Sequence, residues 1–207
     1  MSNRLLMIRH GESEAHYKGR YIGKTDANLS AKGQKQAAAL AAPLSAFRDV
    51  SFLTSPLRRA RQTAEFAIGL SKPLEIDENL REIDFGLWEG LSFAEITAAY
   101  PAEVVKWAAQ GEDFPFPEGE NTASFRKRIA TAVNFIVSNP AETTVVFTHG
   151  GVIRFLICHF LGLPSRHHLS FEISPASLSE IMIHEEKGVL TRLNDQHHLK
   201  GSLLNYG

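Results

Sequence analysis

Two stretches of the sequence echo one another. Arg9-His10-Gly11 follows the apolar run Leu5 to Ile8, and Thr148-His149-Gly150-Gly151 follows the β-branched run Thr144 to Phe147. A neutral histidine offers one ring nitrogen that donates and one that carries a lone pair, and glycines beside it let a ligand approach the backbone closely. The third chemical element is Arg59, in Ser55-Pro56-Leu57-Arg58-Arg59-Ala60, in the first turn of a helix whose free N–H groups and dipole favour an anion. Arg9, His10, Arg59 and His149 together make a cationic pocket, and phosphate is its natural occupant because guanidinium forks match phosphate oxygens two at a time. Taken singly, each stretch reads as a turn or a solvated helix face. Jointly they supply different parts of one phosphate site.

The elements around them must bring these residues together. Leu5 to Ile8, Val50 to Leu53 and Thr144 to Phe147 read as buried strands, separated by helices of ordinary length. Ser30 can cap a helix from Ala31 to about Phe47, and Ser55-Pro56 supplies a capping hydroxyl and a first-turn proline for a helix over 57–68, closed by Gly69. Ser92-Phe93-Ala94-Glu95 has capping-box spacing for a helix ending before Pro101, a further helix spans Thr122 to about Ser138, and residues 114–119 are a loop. A helical segment follows Thr148-His149-Gly150-Gly151 and runs to Leu161, with Gly162 and Pro164 as stop signals. The strands Leu178 to Ile183 and Val189 to Leu193 have too short a connection for a crossover, so one of them runs antiparallel. The pattern implies an α/β fold, a largely parallel sheet with helices on both faces. In such sheets ligands bind at the carboxyl ends of the strands, where both His-Gly segments fall.

Composition narrows the partners. The chain has 207 residues, with 22 Lys plus Arg against 23 Asp plus Glu, and this size and balance suit one domain over 1–207. Without a cationic surplus, a nucleic-acid partner is not expected. No run of about 18 apolar residues is present, and the N-terminal apolar run is too short for a secretory signal, so no membrane partner and a cytoplasmic location are expected. The lone Cys158 reads as a small buried hydrophobe. His167-His168 and His197-His198 lack cysteine partners and helical spacing, so they read as surface histidines and no metal is expected. Phe85, Trp88 and Trp107 read as core.

The residues resemble the histidine phosphatases, the phosphoglycerate mutase-like superfamily, over nearly the whole chain. Leu6-Met7-Ile8-Arg9-His10-Gly11-Glu12-Ser13 is similar to the family's opening motif, Gly19-Arg20 through Asp26 with Leu29-Ser30 to the segment after it, Thr54 to Ala60 to its second-arginine motif, Leu80-Arg81-Glu82 to its acid motif, and Thr148 to Gly151 to its second-histidine motif. The resemblance implies a three-layer α/β/α fold around a mostly parallel six-stranded sheet with one strand antiparallel. It implies no cofactor and a phosphohistidine mechanism on a small-molecule phosphomonoester. His10 would be the nucleophile; Arg9, Arg59, His149 and Gly150 would hold the phosphate. Glu82 would protonate the leaving oxygen and then activate water, although the residues alone leave Asp84 and Glu89 equally open. His16 stands where many members carry Asn, and it and Arg20 are possible substrate contacts.

The stretches Leu80 to Gly90 and Thr148 to Arg154 look most like the α-ribazole-5′-phosphate phosphatases of cobalamin assembly. Broad-specificity or sugar-phosphate phosphatases and phosphoglycerate mutases are the alternatives within the superfamily. From Leu91 to Asn121 the only basic residue is Lys106, a poor cap for phosphoglycerate, and this favours hydrolysis over mutase chemistry. A non-catalytic phosphate-binding module would need neither His10 nor Glu82. The sequence assigns no oligomeric state.

Overall fold

A computed structural model of the chain describes residues 3–15, 19–109, 113–185 and 187–200. Its strands are β1 (Asn3–Arg9), β2 (Val50–Thr54), β3 (Glu75–Ile76), β4 (Thr143–Thr148), β5 (Leu178–His184) and β6 (Lys187–Asp195). Its helices are α1 (Ala31–Ala39), α2 (Ala41–Leu44), α3 (Arg58–Ile68), α4 (Phe93–Ala99), α5 (Pro101–Ala108), α6 (Thr122–Ser138) and α7 (Gly150–Phe160). The strands form one six-stranded sheet in the order β3-β2-β4-β1-β5-β6. β1 to β4 run parallel, and β5 is antiparallel to both its neighbours.

Alternation along β1 builds the three layers. Leu5 and Met7 face a core shared with Phe125 and Ile129 of α6 and Val152 and Leu156 of α7, whereas Leu6 and Ile8 face a second core with Leu40, Leu44 and Ala64. All four β1 residues are fully buried, each worth roughly 1.5–3 kcal/mol, and this fixes the strand whose end carries Arg9 and His10. The central strand β4 is buried at every position, so the chain entering His149 is equally well held.

Several boundaries differ from the sequence expectations for local reasons. The helix from Ala31 stops at Ala39 and resumes as α2, because Pro43 has no N–H to give Ala39 and its ring crowds that carbonyl. Pro101, expected only as a stop, also sits in the first turn of α5, where its missing N–H costs nothing. The two-residue edge strand β3 is too short to leave a periodic signal. Ser55 does not cap α3, whose start is Arg58. The Asp26 carboxylate accepts from the Arg58 N–H instead, at 2.7 Å.

Candidate active site

The parallel strands β1, β2 and β4 end side by side, and the residues that follow them, His10, Ser55 and His149, converge. His10 N–H donates to Thr148 O at 2.9 Å, which ties the two strand ends together directly behind the two rings. The ring centroids of His10 and His149 lie 5.1 Å apart. His10 is 5% exposed, and Arg59 and His149 are fully buried.

Each ring nitrogen has an assignable role. His10 Nδ1 lies 2.7 Å from Gly11 O, a carbonyl that can only accept, so Nδ1 carries the proton. Nε2 is left with its lone pair, toward which Arg59 Nε–H donates at 3.1 Å. His149 Nε2 lies 2.7 Å from Ser55 Oγ, and that oxygen also accepts from Leu57 N at 3.3 Å. We assign the Ser55 hydroxyl proton to the bond with His149 Nε2, which places the His149 proton on Nδ1. His149 Nδ1 and Arg9 Nε are buried without a protein partner among the described residues. Burial, reinforced by Arg59, His10 and Arg9, holds His149 well below the usual histidine range. It is thus a neutral donor at pH 7, and the positive charge expected of the pocket comes from the arginines.

Those arginines are held by backbone. Arg59 donates to Thr25 O at 2.6 Å and Gly23 O at 2.7 Å, and Arg9 donates to Ile173 O at 2.6 Å. Burial lowers both, Arg9 to about 10, where it is still a cation at neutral pH. Gly11 passes so close to Gly33 that a Cβ at Gly11 would stand 2.6 Å from Gly33 O, so the turn after His10 needs glycine.

Glu82 enters from the loop before a short 3-10 turn. One of its carboxylate oxygens accepts from Gly151 N at 2.9 Å, at the N-terminus of α7, and the other from Ile83 N at 3.0 Å. Of the three acids left open by the residues alone, Glu82 lines the main cavity beside Arg9, while the other two are engaged elsewhere. Asp84 pairs with Lys24 at 3.0 Å, and Glu89 accepts from Gly23 N, Lys24 N and Thr25 Oγ1, shaping the loop that holds Arg59. Gly151 is a site residue that the sequence did not single out: a Cβ there would run into the Glu82 carboxylate, whereas one at Gly150 would meet the Arg9 guanidinium at an ordinary 3.6 Å.

The cavity, about 400 Å³, opens above Arg9 and Glu82. Phe85 and Trp107, expected as core, stand on its wall, whereas Trp88 is buried behind them as expected. Arg20 also lines the cavity, but its guanidinium is engaged by Gly90 O at 2.6 Å and Glu95 at 2.8 Å. His16 lies outside the described residues. Positive charge enters from two arginines not assigned a site role from sequence, Arg154, one turn into α7, and Arg166 of the 3-10 helix Ser165–Ser170, and His168 of that helix also reaches the wall. His168 is therefore not a free surface histidine; it stacks on Phe155 at 4.8 Å, and burial lowers its pKa. Among the described residues there is no cluster of three or more His, Cys, Asp or Glu placed to hold a metal, and no helix is long and apolar enough to cross a membrane.

The family model described as "Histidine phosphatase superfamily (branch 1)" matches residues 5–196. The chain is 34% identical over 199 residues to phosphoserine phosphatase 1 of Hydrogenobacter thermophilus, covering 95% of this chain and 94% of the relative. It is 33% identical over 171 residues to the glucosyl-3-phosphoglycerate phosphatase of Mycolicibacterium vanbaalenii, covering 78% and 75% respectively. Among solved structures it is similar to the α-ribazole phosphatase of Shigella flexneri, with a TM-score of 0.83 at 27% identity over 93% of this chain and 96% of that one.

Proposed function

The chain belongs to the histidine phosphatase superfamily, a phosphoric monoester hydrolase by that membership, and from this premise we propose that it works without metal through a phosphohistidine on His10. The observation that carries the reading is the pairing of a lone pair with unpartnered buried donors: His10 Nε2 stands as the nucleophile while Arg9 Nε and His149 Nδ1 are buried without an acceptor among the described residues. A phosphoryl group beside His10 supplies oxygens to those donors and to the α7 N-terminus at Gly150. His10 Nε2 attacks phosphorus in line, the P–O bond to the leaving group breaks, and protonated Glu82 gives its proton to the departing oxygen. Water then attacks the phosphohistidine as Glu82 takes one of its protons. The P–N bond breaks, inorganic phosphate departs, and the His10 lone pair and the Glu82 proton are restored. Arg9 and Arg59 offset charge on the transferring group throughout.

For the substrate, the aromatic wall with Tyr21, Phe85 and Trp107 supports a leaving alcohol that carries a flat apolar ring, as α-ribazole does. A second reading has its own observation. Arg154 is aimed by a 2.8 Å bond from its Nε to Phe171 O, and its terminal nitrogens have no protein partner among the described residues. This favours a leaving group bearing a carboxylate, as phosphoserine does.

The test is phosphate release in the presence of EDTA from α-ribazole 5′-phosphate, O-phosphoserine and 3-phosphoglycerate, with His10→Ala as control. Release that survives the chelator and vanishes in the variant is expected. Loss of turnover on chelation, or turnover retained by His10→Ala, would overturn the mechanism. Isomerisation of phosphoglycerate without net release would replace hydrolase by mutase.

A further inference from the structure

Glu82 hangs on a loop without regular structure, yet its carboxylate must meet a leaving oxygen within hydrogen-bond distance. What holds that loop is Arg128, on α6. Its guanidinium has five N–H groups, and each has an acceptor: Nε donates to Glu120 at 2.7 Å, Nη1 to Asn79 O at 2.8 Å and Arg81 O at 2.6 Å, and Nη2 to Glu82 O at 3.1 Å and Glu120 at 2.8 Å. The guanidinium is also stacked 4.4 Å over the ring of Phe125. Glu120 closes the other end of the same segment, its N–H donating to Asp84 O at 2.8 Å while its carboxylate accepts from Asp84 N at 3.4 Å. With side-chain exposures of 18% and 19%, the pair is shielded well beyond an ordinary surface ion pair.

We propose that Arg128, fixed by Glu120, is a positioning residue for proton transfer by Glu82. Three closely spaced attachments, at the carbonyls of Asn79, Arg81 and Glu82, remove the hinge freedom by which the acid could swing away from Gly151 N. Arg128 does not line the cavity. A lysine could keep the charge but has three donors on one point, and it cannot reproduce a planar fork serving a carboxylate and three carbonyls. The inference rests on Glu82 being the proton donor.

The experiment compares kcat/KM for phenyl phosphate and 4-nitrophenyl phosphate, which share a shape but differ in how much the departing oxygen needs a proton. Arg128→Lys is expected to lose about tenfold or more on phenyl phosphate and much less on the nitrophenyl ester, with inhibition by inorganic phosphate unchanged. Combined with Glu82→Gln, it should add almost nothing, since both changes remove the same proton transfer. Glu120→Gln, which leaves the three carbonyl bonds in place, should show a smaller loss of the same selectivity and carries the test should Arg128→Lys not fold. Equal losses on both esters, or losses that multiply with those of Glu82→Gln, would make Arg128 a merely structural residue. If Glu82→Gln itself shows no leaving-group dependence, the assignment of Glu82 falls and the role of Arg128 with it.

Discussion

The floor of the site and its mouth are built in opposite ways. At the floor, His10, Arg59 and His149 are 5% exposed or less and directly follow buried strands or lie in the first turn of α3, and most of their polar atoms are fixed by backbone carbonyls or a neighbouring hydroxyl. At the mouth, the wall is assembled from the segment around Tyr21, the loop at Phe85, α5, α7 and the 3-10 helix Ser165–Ser170, and Arg154 and Arg166 reach it with terminal groups that have no protein partner among the described residues. A rigid floor suits a group that is the same in every substrate. An adaptable mouth suits the part that varies, so changes at the floor should abolish turnover and changes at the mouth should redistribute it.

The largest effect should come from the floor. His10→Ala is expected to lower kcat by about 10⁴-fold or more on every phosphomonoester, measured by phosphate release. A variant that keeps activity on one substrate and loses it on another would show that the floor is not common to all. Glu82 stands between the two regions, bonded to Gly151 N yet facing the cavity, and its change to Gln tests which it serves. The change should cost about 10²- to 10⁴-fold in kcat/KM on alkyl phosphates and far less on 4-nitrophenyl phosphate. A uniform loss would move Glu82 from proton transfer to the floor.

The same division decides what was legible in the sequence. Floor residues sit within one or two positions of an apolar strand, so Arg9, His10 and His149 could be placed at the sheet edge from local pattern, and Arg59 from its helix start. Glu82 could not be separated from Asp84 and Glu89 without knowing that Glu89 binds the 23–25 loop and Asp84 pairs with Lys24. The four residues that accept from Arg128 are at least eight positions away in sequence, and no periodicity announces them. The acidic stretch from Leu91 to Asn121 suggested a mouth poor in cations. The cations arrive instead from Arg154 and Arg166, which lie beyond that stretch and reach the cavity only once α7 has packed on the sheet.

A sharper probe of the mouth is Arg154→Gln. If its free terminal nitrogens meet a carboxylate, KM for O-phosphoserine should rise about 10- to 100-fold, the loss of one charge-assisted contact, with kcat for phenyl phosphate unchanged. A parallel fall in kcat on both esters would place Arg154 among the floor residues, through its proximity to Arg9.

The smallest effect is one of stability. His149 is buried, and its pKa is held well below the usual value, chiefly by loss of solvation, and His168 is lowered by burial as well. Below about pH 6.5 the unfolded chain takes up protons that the folded chain refuses, so stability present at neutral pH must fall as pH drops through that value. Each such histidine contributes at most about 1.4 kcal/mol per pH unit. Urea midpoints measured from pH 7.5 to 5 should therefore decline, and His149→Asn, which cannot titrate, should flatten the slope by up to one proton's worth. His168→Asn should flatten it by less, because the mouth hydrates what the floor excludes. Equal changes from the two variants would mean that both regions are equally dry, and the contrast between a closed floor and an open mouth would fail at its physical root.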